Sequence, residues 1–329
     1  MQNITVRIDG GLGNQLFQYA AGYALSKRLG VPLKLDLAFF DIKYGGPQFT
    51  VRNFLLDKFN VPALNVATKE NISQEVGQYE TWKTKIKSIK FIYASWFVLK
   101  KIPLVRKAIN FIKRPQQVQN QDNHIFVQYS YLPVDSHFFE MTDKSYTYGS
   151  FMSELYFKQY ENDIRQIFTL KDPISSSAQK SLEEIKNTKC AVSFHVRRGD
   201  YVTRSDIVAL NSSTSLDYYK QAAKLMQKIH GDDVHFFAFS DDPQYIKDNF
   251  DFIPNKTVIT GDTEYPHEDL YLMSQCDHHI IANSTFSWWG AWLNPNKDKT
   301  VITPRWWYAR ETMKTHNTMD VIPEGWIIL

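Results

Sequence analysis

Residues 4–37 read ITVRIDGGLGNQLFQYAAGYALSKRLGVPLKLDL. The apolar segment Ile4–Ile8 predicts a strand, and a glycine-rich turn follows it. Asn14–Leu29 then carries apolar residues at helical spacing, with Gly30 where a helix C-cap is expected. Leu33–Leu37 predicts a second strand. Strand, turn, helix and strand in this order predict that a parallel α/β sheet begins at the first residues of the chain.

Strands and helices alternate again in the C-terminal half. Strands are predicted over Ala191–Val196, Val234–Phe239, Thr257–Ile259, His279–Ala282 and Thr300–Ile302. Helices are predicted over Leu216–Ile229, Pro243–Phe250, Glu264–Cys276 and Thr285–Leu293. This alternation predicts a second parallel sheet with helices on both faces.

We therefore expect an α/β protein of two facing Rossmann-like domains, with a ligand cleft between them at the carboxyl ends of both sets of strands. The N-terminal domain is expected over residues 1–170 and the C-terminal domain over residues 171–329. The serine-rich stretch Lys171–Ser181 is the predicted linker. Residues from about 40 to about 170 show few clean periods, and we expect irregular and helical insertions there.

The composition is that of a soluble globular protein. The chain has 329 residues, of which 43% are hydrophobic and 22% are charged, and this excludes a collagen, a coiled coil and a disordered chain. The net charge of +3 gives no reason to expect a nucleic-acid partner. Cys190 and Cys276 lie in apolar surroundings and fit reduced thiols better than a disulfide. Met1–Ile8 lacks the features of a secretory leader, so we expect a cytoplasmic protein.

One segment concentrates positive charge. Residues 81–121 contain ten Lys and Arg residues and no Asp or Glu, interleaved with aromatic and aliphatic residues. Such a composition is typical of a segment that binds anionic lipid at a membrane surface. Peripheral contact with the inner face of the plasma membrane is therefore one interpretation, and a helical insertion with a solvated basic face is the other.

The glycine turn, Gly10–Gln15, offers backbone N–H groups and the positive end of a helix to an anion. Gly11 and Gly13 match two glycines of the dinucleotide-binding pattern, and Asp36 stands where a ribose-binding acid is expected. Leu16 replaces the third glycine. An NAD-dependent oxidoreductase is therefore an alternative function, and a tight turn without a ligand is another interpretation of the motif.

Two charged motifs follow predicted strands. Residues 195–200 read HVRRGD, and the adjacent Arg197 and Arg198 suit a diphosphate, with Asp200 holding one guanidinium in place. The alternative is a surface ion-pair cluster. Asp241 and Asp242 follow the next strand, and three interpretations are open for them: they hold a metal ion, they cap a helix, or they accept the N–H donors of guanine. Capping is the simplest of these three interpretations.

Residues 283–292 read NSTFSWWGAW, with a predicted helix beginning at Thr285. Hydroxyl and amide side chains beside the free N–H groups of a first helical turn form an anion site. An ordinary helix cap is the alternative. At least two of the tryptophans are expected in the core, although a platform for a sugar ring is a second interpretation, and a non-catalytic glycan-binding protein is thus another alternative.

Taken together, these motifs resemble those of the bacterial α-1,2-fucosyltransferases: GGLGNQLFQYA at 10–20, HVRRGDY at 195–201, FSDD at 239–242 and NSTFSWWGAWL at 283–293. The arginine motif is also similar to that of α-1,6-fucosyltransferases and protein O-fucosyltransferases. The resemblance implies a two-domain GT-B fold. It also implies transfer of L-fucose from GDP-β-L-fucose to the 2-hydroxyl of a galactose in an acceptor glycan, with inversion and without a metal or other cofactor.

The resemblance also implies site residues. Arg197 is expected at the β-phosphate, His195 and Asp242 at the guanosine, and Asn14 at the diphosphate. The expected catalytic residues are His195, Arg197 and Asp200, and the expected donor-binding residues are Gly13, Asn14, His195, Arg197, Arg198, Asp242, Ser284, Thr285 and Ser287. The candidates for a base that accepts the proton of the attacking hydroxyl remain open among Asp206, Glu264, His267 and Asp269.

Overall fold

The computed structural model describes residues 2–41, 52–62, 64–68, 70, 72, 125–128, 133–199, 214–260, 265–309, 313 and 317–329. The basic segment 81–121 and three predicted functional residues, Asp200, Asp206 and Glu264, lie outside these ranges. No helix in the described ranges is both long enough and apolar enough to cross a membrane.

A parallel four-stranded sheet forms the N-terminal half. Its strands are β1 (Asn3–Arg7), β2 (Leu33–Asp36), β3 (Ile125–Gln128) and β4 (Lys144–Gly149), in the order β2-β1-β4-β3. Helix α1 (Leu12–Leu29) joins β1 to β2, as predicted, and ends at Gly30 in the left-handed conformation (φ 68°). The opening strand–turn–helix–strand unit is confirmed.

The expectation of irregular and helical insertions across the middle of the chain was wrong for β3 and β4. In β4 the buried residues include Ser145 and Thr147, so no hydrophobic alternation marks this strand in the sequence. Ser145 Oγ donates to the Thr142 carbonyl at 2.7 Å, which lets a polar side chain lie in the interior.

A parallel six-stranded sheet forms the C-terminal half. Its strands are β5 (Ala191–Val196), β6 (His235–Ser240), β7 (Lys256–Val258), β8 (His278–Ile280), β9 (Val301–Thr303) and β10 (Ile327–Ile328), in the order β10-β9-β8-β5-β6-β7. Two helices lie between β4 and β5: α2 (Glu161–Ile167) and α3 (Ser176–Asn187). The helices between the later strands are α4 (Leu216–His230), α5 (Pro243–Asn249), α6 (Pro266–Ser274) and α7 (Thr285–Leu293). The predicted α/β class and the second parallel sheet are confirmed.

The predicted linker Lys171–Ser181 is partly helical, because α3 begins at Ser176. Ser175 is its N-cap and accepts the Ala178 N–H at 3.3 Å. The Glu268 carboxylate accepts both the N–H and the hydroxyl of Ser175, at 2.7 and 2.6 Å. The serines thus begin a helix that is attached to α6.

The tryptophans of α7 lie in the core, as the sequence indicated. Trp288 and Trp289 are fully buried, and their rings lie 4.5 and 4.9 Å from the ring of Phe17 on α1. Trp292 Nε1 donates to Glu154 Oε2 at 3.0 Å. Helix α7 follows a strand of the second sheet but packs into the core of the first, so one aromatic core joins the two halves.

Both cysteines are free thiols, in agreement with the sequence analysis. Cys276 is buried and Cys190 is half-buried. Burial raises the pKa of both thiols, so neither is activated as a nucleophile.

Two histidines stack at the amino end of the second sheet. The rings of His230, which ends α4, and His278, which begins β8, lie 3.6 Å apart and nearly parallel. Thr300 contacts both, since its Oγ1 lies 2.9 Å from His230 Nε2 and its N–H donates to His278 Nδ1 at 3.1 Å. Burial lowers the pKa of both imidazoles, and His230 lowers the pKa of His278 further, whereas Asp277 raises both.

Acid is expected to destabilise the protein through this pair. Both pKa values lie below the unfolded value of about 6.5, so the unfolded chain binds more protons, and stability is complete above that pH and falls below it. When the pH is lowered from about 7.5 to about 5, we expect the melting temperature of His278→Gln to fall less than that of the native protein. His137→Gln is the control, because Asp135 raises the pKa of that exposed histidine. Equal acid losses in the native protein and His278→Gln would contradict the prediction.

Candidate active site

The glycine turn leads from β1 into α1 without a capping side chain. Gly10 has φ 74°, a conformation that favours glycine, and Gly11 is the N-cap of α1. No acidic residue lies in the first turn of the helix. The positive end of α1 is therefore not neutralised by its own sequence.

The first turns of α1 and α7 meet at Gly13. A Cβ atom placed on Gly13 would lie 2.5 Å from the carbonyl carbon of Thr285 and 2.6 Å from the nitrogen of Phe286. No side chain fits at this position, so Gly13 allows the two helix starts to touch. This contact explains the glycine by packing, and it brings two helix N-termini together.

Asn14 and Thr285 form a hydrogen bond across this contact. Thr285 Oγ1 donates to Asn14 Oδ1 at 2.8 Å, which identifies Oδ1 as the acceptor end of the amide. The Nδ2 group is then the end that can donate to a ligand. Two predicted donor-binding residues from opposite ends of the chain are thus in direct contact.

Gln15 has a structural role at the glycine turn. Its fully buried side chain donates to the carbonyls of Gly10 (3.1 Å) and Asn53 (2.8 Å), and it accepts the Leu55 N–H at 2.9 Å. These bonds hold the segment 52–55 against the turn. They bring Arg52 to the site, a residue that the sequence analysis did not identify because no motif surrounds it.

Asp36, the ribose-binding candidate of the oxidoreductase alternative, accepts hydrogen bonds from the protein at both carboxylate oxygens. Asp36 is only 2% exposed, and Tyr146 OH donates to its Oδ2 at 2.6 Å. Its Oδ1 accepts the Ala38 N–H at 2.9 Å. Leu16, which replaces the third glycine, lies in the core. Asp36 therefore supports the sheet, and the geometry argues against the NAD-dependent alternative.

Asp241 joins two strand ends of the second sheet. Its Oδ2 lies 2.6 Å from Arg197 Nη1, and its Oδ1 accepts the Arg198 backbone N–H at 2.8 Å. A Cβ atom on Gly199 would clash with Asp241 Oδ2, so glycine makes room for the carboxylate. Asp200, which was predicted to hold a guanidinium, lies outside the described residues. Asp241 is the carboxylate seen to hold Arg197.

The helix-capping interpretation of Asp242 is confirmed. Asp242 Oδ1 accepts the Tyr245 N–H at 3.1 Å, and Pro243 takes the first position of α5. Asp242 Oδ2 lies 3.8 Å from Arg198 Nε, and the Arg198 guanidinium carbon lies 3.7 Å from the centre of the Tyr245 ring. Each carboxylate of the pair thus faces one arginine. In the described ranges, no group of three or more His, Cys, Asp or Glu side chains is placed to hold a metal ion.

His195 is a buried neutral imidazole at the end of β5. It is 4% exposed, and its ring lies 5.6 Å from the ring of Phe286 in the first turn of α7. Burial lowers its pKa to about 4; Asp241 opposes this shift and Arg197 adds to it. Its Nδ1 has no hydrogen-bond partner among the residues that the structure describes. A buried nitrogen in this state is suited to a polar ligand group.

The hydroxyl run at the start of α7 divides into inward and outward positions. Ser287 is fully buried, and its Oγ donates to the carbonyl of Ser284 at 3.3 Å. Asn283 Nδ2 donates to the Trp307 carbonyl at 3.0 Å. Ser284 is the N-cap of α7 and makes no side-chain cap bond. Ser287 and Asn283 therefore stabilise the turn. Ser284 is also buried, at 7% exposure, and Thr285 is the residue of the run that contacts Asn14 at the site.

A family model for glycosyl transferase family 11 matches residues 3–329. The chain belongs to glycosyl transferase family 11. This family 11 enzyme is 32% identical over 333 residues to an alpha-1,2-colitosyltransferase of Escherichia coli, a match that covers 99% of both chains. It is also 27% identical to galactoside alpha-(1,2)-fucosyltransferase 1 of Bos taurus, over 42% of this chain and 40% of the bovine protein.

Among solved structures, the family 11 enzyme matches the NodZ alpha-1,6-fucosyltransferase crystal soaked with GDP-fucose. The TM-score is 0.47 at 17% sequence identity, and the match covers 89% of this chain and 93% of that one.

Two of the four candidates for the base of the glycosyltransferase lie in the described part of the chain. Burial, followed by the charge of Glu268, raises the pKa of Asp269 to about 7. Burial lowers the pKa of His267, whose Nδ1 has no hydrogen-bond partner in the described ranges. Of these two residues, Asp269 is the one whose pKa lies near neutrality, and the choice of base stays a prediction.

Gly13→Ala is expected to destabilise the glycosyltransferase by about 2 kcal/mol or more, because the added methyl group meets backbone atoms of Thr285 and Phe286. Gly11→Ala is the matched control. It adds the same methyl group two residues earlier, where the nearest atom is 4.0 Å distant, and should cost less than about 1 kcal/mol. Urea unfolding of both variants measures the difference, and similar losses would show that the helix contact is not tight.

Proposed function

We propose that this enzyme transfers L-fucose from GDP-β-L-fucose to the 2-hydroxyl of a galactose residue in a glycan, inverting the anomeric centre and using no metal ion. The observation that carries the proposal is the meeting of two uncapped helix N-termini at Gly13, with Asn14 between them. Such a place favours a diphosphate. The similarity to an alpha-1,2-colitosyltransferase and to a galactoside alpha-(1,2)-fucosyltransferase supports an α-1,2 linkage and a donor that carries a deoxy sugar such as fucose or colitose.

Charge on the leaving group determines the chemistry. Breaking the bond between the sugar C1 and the phosphate oxygen places negative charge on GDP and positive charge on the sugar ring. Arg197, already oriented by Asp241, and the N–H groups of α1 and α7 stabilise the departing diphosphate without moving. These groups supply the positive charge that a divalent cation supplies in other transferases. The acceptor hydroxyl attacks C1 from the opposite face of the ring, and its proton passes to one of the four candidate bases.

Burial supports a nucleoside site at His195. The imidazole is neutral at pH 7 because its pKa is lowered to about 4, so its Nδ1 can exchange a hydrogen bond with a base or ribose without an ionic cost. Asp242 keeps one oxygen for the helix cap and presents its partly exposed Oδ2 on the same edge of the sheet. We therefore place guanosine on the second half and the acceptor on the first.

Arg197→Ala tests the proposal directly. With GDP-fucose, a β-galactoside acceptor and EDTA present, we expect the native enzyme to form an α-1,2 product, identified by NMR, and kcat of Arg197→Ala to fall by about 100-fold or more. Lys189→Ala is the control, since it removes an exposed cation of the same half that pairs with Asp233. The GDP-activated form of colitose is the second donor to test.

Three results would contradict the proposal: no product from either donor, a requirement for a divalent metal, or turnover of NAD. Preference for the colitose donor would correct the sugar and keep the reaction class. Equal loss of activity in Arg197→Ala and Lys189→Ala would contradict the role of Arg197.

We also propose that the protein is cytoplasmic and that residues 81–121 bring it to anionic membrane, on the basic and aromatic composition of that segment. Cosedimentation with vesicles that contain anionic lipid is expected for the native protein and should be lost on Lys100/Lys101/Lys107/Arg114→Glu. Vesicles of neutral lipid are the control, and failure of the native protein to bind anionic vesicles would overturn this proposal.

A further inference from the structure

Arg52 lies against the glycine turn although it is distant from it in sequence. The Gln15 side chain holds its neighbours Asn53 and Leu55 by two hydrogen bonds. A Cβ atom placed on Gly11 would lie 4.0 Å from both the guanidinium carbon and Nη1 of Arg52. The positive charge of Arg52 is therefore beside the N-cap of α1.

Positive charge from three sources converges at this position. The N-terminus of a helix carries about half a positive charge, and a guanidinium stays protonated at every physiological pH. The first turns of α1 and α7 contain no acidic residue, and the two turns touch at Gly13. Two positive helix ends and the Arg52 guanidinium thus surround the same region, and an anion bound there is attracted by all three.

A second observation indicates a ligand at the same place. His195 is buried, its Nδ1 has no partner among the described residues, and its ring lies beside Phe286, one residue after Thr285. The unsatisfied nitrogen comes from the second sheet, whereas Arg52 comes from the first. A ligand that spans both must be polar at one end and anionic at the other.

We propose that Arg52 contacts the β-phosphate of the donor and acts as a second cation for the leaving diphosphate. This inference rests on the proposed function. With guanosine on the second half, the α-phosphate follows it and the β-phosphate is the more distant of the two, so the β-phosphate is the one that reaches a side chain of the first half. Arg197 and Arg52 then hold the diphosphate from opposite sides.

Calorimetric titration of the full-length protein with GDP and with GMP tests this assignment. Arg52→Gln is expected to raise the dissociation constant of GDP about ten- to a hundredfold, because a charge-assisted hydrogen bond to phosphate is lost. The affinity for GMP, which has no β-phosphate, should change less than about twofold. Arg52→Lys keeps the charge and should recover part of the GDP affinity.

Lys27→Gln is the matched control. It also removes one positive charge from the first half, but it lies in the last turn of α1, about 20 Å along the helix from Asn14, and should leave both affinities unchanged. The thermal stability of unliganded Arg52→Gln shows whether the segment 52–55 remains folded.

Two outcomes overturn the inference while the proposed function stands: native GDP affinity in Arg52→Gln, or equal losses for GDP and GMP, which would indicate that Arg52 only supports the local fold. If the native protein binds no GDP at all, the proposed function itself fails, and the inference fails with it. Loss of acceptor affinity with GDP affinity unchanged would place Arg52 at the acceptor and would likewise overturn the assignment.

Discussion

The contact between the first turns of α1 and α7 is the constraint on which the rest of the site depends. Gly13 has no side chain, and the Thr285 backbone lies so close to it that a Cβ atom on Gly13 would be 2.5 Å from the Thr285 carbonyl carbon. Helices that meet at their N-termini bring like partial charges together, which costs free energy in the unliganded protein. The structure accepts this cost because hydrophobic packing behind the contact is extensive: Phe17 on α1 packs against Trp288 and Trp289 on α7.

The charged side chains at the site are held before any ligand arrives. Asp241 fixes Arg197 and the Arg198 backbone, and the Gln15 side chain fixes the segment that carries Arg52. A flexible arginine side chain that becomes fixed only when the ligand binds loses conformational entropy at that moment, about 2 kcal/mol. When that entropy has already been lost on folding, more of the attraction to the developing charge on the leaving group is expressed in the transition state.

Most helices and strands of the second half could be predicted from the sequence, but the side-chain partners of the site residues could not. Strand β5 and helix α7 have the predicted bounds, because their apolar runs are flanked by clear turn residues. Strand β4 escaped prediction because its buried residues include serine and threonine. The prediction that Asp200 holds a guanidinium is not tested by the described residues. Asp241, which follows the neighbouring strand β6, holds Arg197, and such a partner depends on strand order and register, which no local pattern encodes. Arg52 escaped for the same reason, since its position follows from a glutamine in another segment.

The aromatic core and the site are one mechanical unit. Helix α7 presents Thr285 at its first turn and Trp292 at its last, and Trp292 is bonded to Glu154 of the first half. Helix α7 cannot slide toward or away from a bound diphosphate without separating rings whose centres lie about 5 Å apart in a close-packed interior. The tryptophans therefore need no contact with a sugar to matter for transfer. By fixing the helix that carries Thr285, they keep the positive end of α7 at a constant distance from Asn14, and the electrostatic field at the leaving group is determined by packing on the far side of that helix.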